Sequence, residues 1–260
     1  MKLTSQAVEQ FQREGYLKIH HRLLDDDHLR TLREHYDALF AEKRGTIGEG
    51  LRNLAVVGET ENDTEADRSE EMLQIMEMWR FNEAYRELLY HSPLLDIAES
   101  LVGPNIQLFH DQALYKPAYH GGEVHWHQDN GYWRCTPPNL VSIWMALDDA
   151  DEENGCMNVI PGSHLEGLAT HDRATSEKGA LPALLAVEAD VNCAVAVPVK
   201  AGYAMVHHCM TLHQTNPNPT PRERRAMVIH YMPAGTRNGR GEVMRDNLLL
   251  RGEQVDIPNP

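Results

Sequence analysis

The segment His125-Trp126-His127-Gln128-Asp129 gathers residue types able to do chemistry within one short run. On an extended strand alternate residues share a face, so His127 and Asp129 are expected to point the same way. An imidazole and a carboxylate placed like this can take two adjacent positions on a metal ion. A third donor must come from elsewhere, and the downstream histidines are His164, His171, His207, His208, His213 and His230. His213 fits best. It closes Met210-Thr211-Leu212-His213, leads into the turn-forming stretch Gln214 to Asn218, and is followed eleven residues later by Arg224. Two imidazoles and one carboxylate on a single face are the ligand set of non-haem Fe(II) oxygenases, which keeps positions open for a bidentate cosubstrate and O2. A guanidinium beyond the second His suits the far carboxylate of 2-oxoglutarate, because it binds carboxylate with two parallel hydrogen bonds. The competing structural reading is a group of core histidines with satisfied hydrogen bonds. A His-x-Asp pair is a weak signal by itself, and the distal His with its Arg is what strengthens the metal reading.

The rest of the chain limits what such a site could serve. In 260 residues, 24 Lys and Arg stand against 39 Asp and Glu, a formal charge of −15. That balance opposes a broad nucleic-acid surface, which needs a basic excess, and opposes docking on an anionic membrane. No apolar run is long enough to span a bilayer, and the first residues lack the apolar core of a signal peptide. Four widely spaced cysteines, Cys135, Cys156, Cys193 and Cys209, form no Cys-x-x-Cys pair, so reduced thiols in a cytoplasmic protein are expected. A small-molecule substrate is the expected partner, with no nucleic acid and no membrane. No sequence signal sets the oligomeric state.

The elements that must position these residues fall into two parts. Residues 1–103 read as helical. Thr4 can cap a helix ending near Gly15; Asp25 and Asp26 precede Leu29, Leu32, Tyr36 and Leu39 at helical spacing; the periodicity returns through Leu88, Leu94, Ala98 and Val102 to Gly103. The interruption, residues 44–71, combines Gly45, Gly48, Gly50 and Gly58 with seven acids and one Arg over 59–71. It reads as a solvated loop or as a mobile lid over a site. From about 104 to 235 the period becomes two, with strands expected over 106–116, 123–129, 140–147, 156–160, 194–199, 203–208 and 225–232, separated by Gly- and Pro-rich turns. Seven short strands with helices along one side suggest a single mainly β domain built as a sandwich or barrel.

Several of these residues together resemble the phytanoyl-CoA dioxygenase family: His127-Gln128-Asp129, Asn154-Gly155-Cys156, Ile160-Pro161-Gly162-Ser163-His164, and His213-x-Thr215-x-x-Asn218 followed by Arg224-Arg225-Ala226. The opening Leu3-Thr4 to Phe11, then Gly15-Tyr16-Leu17, and the segment Leu114-Tyr115-Lys116-Pro117 extend the likeness over residues 3 to 232 or so. The resemblance implies a double-stranded β-helix (jelly-roll, cupin-like) core with flanking helices. It also implies Fe(II), 2-oxoglutarate and O2 as cofactor and cosubstrates. Carried over by position, His127, Asp129 and His213 are the implied iron ligands and the implied catalytic centre. Arg224 holds the far carboxylate of 2-oxoglutarate, Thr215 adds a hydroxyl donor, and Trp144 lines the cosubstrate pocket. Gln74 falls near a polar residue that reaches the cosubstrate in related members.

The implied activity is hydroxylation or a related oxidation of an unactivated C–H. Halogenation is not expected, since the Asp129 charge opposes a second anion on the metal. A jelly-roll Zn or Mn isomerase or hydrolase would use the same ligands but leave Arg224 and Thr215 without a role; a metal-free binding protein would leave all three ligands without one. Strand parity puts Arg225 on the face opposite Arg224. Lys116 is read as a solvated strand residue or a substrate contact, and Pro161-Gly162-Ser163-His164 as a structural turn.

Overall fold

The computed structural model describes residues 2–43, 51–54, 71–173 and 185–255. Helix α1 (Ser5–Glu14) starts where the Thr4 hydroxyl accepts from the Ala7 N–H at 3.2 Å and stops at Gly15, whose φ of 75° suits a residue without Cβ. Strand β1 (Tyr16–Ile19) follows, then α2 (Asp26–Lys43), β2 (Leu51–Asn53), β3 (Leu73–Met76), α3 (Glu83–Leu89) and α4 (Ser92–Val102). The remaining elements are β4 (Ile106–Lys116), β5 (Val124–His127), α5 (Asp129–Trp133), β6 (Val141–Ala146), β7 (Met157–Val159), β8 (Asp172–Arg173), β9 (Leu185–Ala186), β10 (Val195–Val197), β11 (Ala204–His208), β12 (His213–Thr215), β13 (Arg224–Pro233) and β14 (Leu249–Arg251).

The strands form two main antiparallel sheets, and β8 and β9 make a separate two-stranded pair. The larger runs β1-β11-β6-β13-β4-β3-β2, with β14 also paired to β4; the smaller runs β10-β7-β12-β5. From β4 to β7 and again from β10 to β13 successive strands alternate between the two main sheets, as in a jelly roll, which is the fold of this chain. Alternation along the central strands explains why the sheets hold together. Ile143 and Met145 of β6, with Met227, Ile229 and Tyr231 of β13, join the core cluster that takes in Leu29, Leu32 and Tyr36 of α2 and Leu94, Ile97 and Ala98 of α4. The intervening residues Trp144, Ala226 and Val228 face the other way, against Met157, Val159 and Val197 of the smaller sheet.

Three features depart from the sequence expectation. The first hundred residues are not purely helical: β1, β2 and β3 come from this part and extend the larger sheet at both edges. Leu51–Asn53, inside the stretch read as a loop or lid, pairs with Leu73–Met76 just beyond it, while residues 44–50 and 55–70 lie outside the described residues, and the lid reading with them. The strand expected to run through Asp129 ends at His127, and Asp129 is the first residue of the short helix α5.

Candidate metal and cosubstrate site

Opposite faces of the two sheets enclose a cavity of about 580 Å³. His127, Asp129 and His213 meet on its wall because β5 and β12 are neighbours, with His213 directly opposite His127 in the antiparallel register. The turn into α5 then swings Asp129 beside both. The Nε2 atoms of His127 and His213 lie 3.8 and 3.7 Å from Asp129 Oδ1, and one donor atom from each of the three residues falls within 4.8 Å of the others. The opposite ring nitrogens are occupied: His127 Nδ1–H donates to the His125 carbonyl at 2.7 Å and His213 Nδ1–H to the Thr211 carbonyl at 2.9 Å. Both rings are therefore held with an unprotonated Nε2 facing the carboxylate. Burial pushes the imidazoles of His127 and His213 below the usual histidine range, which favours the neutral, ligating form. Burial acts on Asp129 in the opposite sense, but the surrounding imidazoles, His213 foremost, together with the His207 hydrogen bond hold its carboxyl well below the usual range. Two neutral imidazoles and an ionised carboxylate are a donor set that suits Fe(II).

The other end of the cavity is a cradle of unpartnered donors. Arg224 is fully buried, and its Nε and Nη1 have no hydrogen-bond partner. Its Nη2 reaches only Met72 Sδ at 3.8 Å, and its guanidinium carbon sits 5.5 Å from the Trp144 ring centroid. Burial pushes its pKa down to about 10. The Thr215 hydroxyl and Trp144 Nε1, which line the same cavity, are also buried without partners. A buried cation with no counter-ion among the described residues is costly, and a cluster of donors with nothing to donate to asks for an acceptor-rich anion. A dicarboxylic 2-oxo acid meets that need. Arg225, one residue on, points away and pairs with Asp37, Asp148 and Glu223, while Arg222 pairs with Asp151 and Glu153 at the surface.

Lys116 is neither solvated nor open to a substrate. It is fully buried, and its ammonium donates to the carbonyls of Gly122, Thr215 and Asn216. It ties the end of β12 to the turn after β4 and so fixes the backbone that carries Thr215. Gln74 does line the cavity, but its amide N–H is committed to Gln112 Oε1. The atom it leaves unpartnered is the acceptor Oε1, whereas 2-oxoglutarate offers acceptors only.

Of the histidines that could have supplied a third ligand, only His213 joins the cluster. His164 bonds the Gln12 carbonyl, His171 accepts from the Gln128 N–H, and His208 accepts from the Met210 N–H. His207 and His230 lie close by in a different capacity. His207 Nε2 is 3.2 Å from Asp129 Oδ2, Ser142 Oγ is 2.9 Å from the same oxygen, and His230 Nδ1 is 2.7 Å from Ser142 Oγ. Gln112 Nε2 then meets His230 Nε2 at 2.9 Å. Sequence reasoning gave no role to Ser142 or Gln112. Apolar side chains close the remaining wall, including Met76, Phe109, Leu114 and Trp133, and Phe109 and Trp133 pack with ring centroids 4.8 Å apart.

A jelly roll carrying two imidazoles, a carboxylate and a buried free guanidinium around one cavity defines the class of non-haem iron, 2-oxoglutarate-dependent oxygenases. Comparison with known proteins agrees. The family profile for phytanoyl-CoA dioxygenase (PhyH) matches residues 11–226, and the chain belongs to that family. A phytanoyl-CoA dioxygenase domain-containing protein 1 homolog of Dictyostelium discoideum is 32% identical over 155 residues, 58% of this chain and 55% of that protein. The match thus spans just over half of that curated relative's length. Two solved structures share the fold. The non-haem alpha-ketoglutarate-dependent carbocyclase SnoK from nogalamycin biosynthesis superposes with a TM-score of 0.71 at 24% identity, covering 94% of this chain and 88% of that one. EctD from S. alaskensis, solved with 2-oxoglutarate and 5-hydroxyectoine, gives 0.69 at 21% identity, covering 91% and 78%.

Proposed function

We propose that this protein is an Fe(II)/2-oxoglutarate-dependent oxygenase that hydroxylates, or otherwise oxidises, an unactivated C–H of a small, mostly uncharged molecule. In this reading His127, Asp129 and His213 hold the iron, Arg224 receives the far carboxylate of 2-oxoglutarate, and Thr215 and Trp144 donate beside it. When bound, iron and cosubstrate supply the oxidation: O2 and 2-oxoglutarate become succinate, CO2 and the oxygen inserted into substrate. The chain's own residues do the rest. The two imidazoles stay neutral and aimed inward through their backbone-bonded Nδ1 atoms, and the buried guanidinium fixes the direction of the cosubstrate. The cavity wall of Phe109, Leu114, Trp133 and Met76 excludes water from the reacting carbon.

The observation that carries the reading is Arg224, a fully buried cation with unpartnered N–H groups in the same cavity as the three ligands. A Zn or Mn hydrolase would have no use for it. The substrate side favours a molecule with a hydroxyl or N–H donor for the open Gln74 Oε1. Arg52 and Arg224 are the only Lys or Arg lining the cavity among the described residues, which does not suit a polyanionic acyl-CoA ester. Four free thiols, three of them buried, suit a reducing cytoplasm, and no described helix is long and apolar enough to cross a membrane.

The test is anaerobic titration of the iron-loaded protein with 2-oxoglutarate, followed by succinate release over a panel of neutral hydroxyl- and amine-bearing metabolites. Saturable binding and substrate-stimulated succinate are expected, and Asp129→Ala should lose both the metal and the turnover. Full turnover by Asp129→Ala would refute the ligand assignment.

A further inference from the structure

The polar groups behind Asp129 form a chain in which every donor is forced once the first is set. An ionised Asp129 can only accept, so the Ser142 hydroxyl donates to Oδ2 and His207 donates its Nε2–H to the same atom. With its one proton spent, Ser142 Oγ must accept from His230 Nδ1–H. A neutral His230 then presents a bare Nε2, which obliges Gln112 to offer its NH2 there and to turn its Oε1 toward Gln74. Gln74 in turn gives its NH2 to Gln112 and ends the chain at an open acceptor. Burial holds the His230 imidazole far below the usual range, in keeping with this neutral tautomer. The chain follows one rung of the larger sheet: His207 lies opposite Ser142, and Ser142 opposite His230, in the β11-β6-β13 register. Both donors converge on Oδ2, while Oδ1 is the oxygen facing the Nε2 atoms of His127 and His213.

We propose that Ser142 and His230, braced by Gln112 and Gln74, are positioning residues that pin Asp129 Oδ2 so that the carboxylate meets the metal through Oδ1 alone. The inference rests on Asp129 being a metal ligand, as in the function proposed above. Without the rung, the carboxylate is free to rotate and chelate through both oxygens, or to turn away from the ion. Partners that orient metal ligands in this way typically contribute ten- to a hundred-fold in metal affinity.

The test uses Co(II) as the probe, titrated anaerobically into metal-free protein and followed by its visible absorption band. Ser142→Ala and His230→Leu are each expected to weaken Co(II) binding by roughly ten- to a hundred-fold and to alter the band. The double variant should lose little more than either single one, because the two act as a unit. His230→Asn keeps a donor near the Nδ1 position and should restore Co(II) affinity to within a few-fold of wild type. That rescue separates positioning from packing, and it decides the matter even if Ser142→Ala does not fold. Wild-type affinity and an unaltered band in folded Ser142→Ala or His230→Leu would overturn the rung while leaving the metal site standing. A wild-type chain that takes up no Co(II) would overturn the metal site and the rung together.

Discussion

Replacing Arg224 by Met should move stability and cosubstrate binding in opposite directions. The guanidinium is completely buried, makes one weak contact to Met72 Sδ at 3.8 Å, and leaves Nε and Nη1 unpartnered. Burial penalises the charge and pushes its pKa down to about 10. A lowering of that size corresponds to roughly 3 kcal/mol spent on keeping the cation there. Methionine fills much of the same volume without that cost, and exchanging buried unpaired charge for apolar packing is often stabilising. The ligand-free Arg224→Met protein is therefore expected to gain about 1–3 kcal/mol, a rise of roughly 3–8 °C in melting temperature for a chain of this size. Binding should change the other way. Losing one member of a desolvated Arg–carboxylate pair costs about 2–5 kcal/mol, so 2-oxoglutarate affinity should drop roughly thirty-fold to several thousand-fold. Thermal and urea unfolding, each with and without 2-oxoglutarate, measure both effects in one series. Wild type should gain about 2.7 kcal/mol at a hundred times its dissociation constant, and the variant less than about 1 kcal/mol at the same concentration. A misfolded variant cannot imitate a more stable one. An Arg224→Met protein that is less stable when ligand-free, yet still protected by 2-oxoglutarate, would refute the reasoning.

Two further perturbations probe groups outside the ligand set. Asp111 is fully buried on the helix-packed face of β4, its Oδ2 accepting from the Trp79 N–H at 3.2 Å, and burial pushes its pKa up from 3.8 to about 7. The folded state thus holds a proton that the unfolded chain releases, so this group's stabilisation is complete below pH ~4 and is lost as pH rises toward ~7, about 4 kcal/mol in all. Asp111→Asn keeps the acceptor and removes the titration; urea unfolding at pH 5 and pH 8 should show its advantage over wild type growing with pH, and a constant difference would count against the assignment. Lys116→Met should cost about 2–4 kcal/mol by stranding buried carbonyls and should raise the 2-oxoglutarate KM through a displaced Thr215; unchanged urea unfolding would show that the ammonium is not the tie.

How much of this could be read from the residues depends on whether the signal is local. Strands β4, β6 and β13 stand out because they are six residues or longer and predominantly apolar, and β4 occupies the expected 106–116. The strands β2 and β3 are three and four residues long, too short to establish a period, and they flank an acid-rich tract that reads as solvated chain. β3 joins the larger sheet by pairing with β4, a contact across some forty residues, and β2 joins it only through β3. The His127–Asp129 pair was legible for a reason only partly right. Strand alternation predicts that both side chains share a face, yet β5 ends at His127 and the first turn of α5 aims Asp129. The parity of Arg224 against Arg225 was a sounder inference, since both lie on one continuous strand. Alternate residues there separate the cavity from the helix-packed face.

The residues that the sequence concealed share one property: each acquires meaning only from register. Ser142 in Val141-Ser142-Ile143-Trp144 reads as a small polar residue interrupting an apolar strand, and His230 in Val228-Ile229-His230-Tyr231 as a histidine in a core strand. Such a reading is physically reasonable, because a buried hydroxyl or imidazole finding some hydrogen-bond partner is the ordinary state of a β core. What makes them more than that is adjacency across β11, β6 and β13, elements separated in sequence by about sixty to ninety residues, at the one rung that passes behind Asp129. Lys116 was obscured in the same way, since a lysine at a strand end is ordinarily solvated, and only the return of β12 past β4 encloses it among carbonyls. Residues that touch the reacting groups impose spacings on the chain and can be found by them. Residues that hold those groups in place are bound by the sheet's register instead, and a substitution among them is best judged by what lies opposite rather than by what comes next.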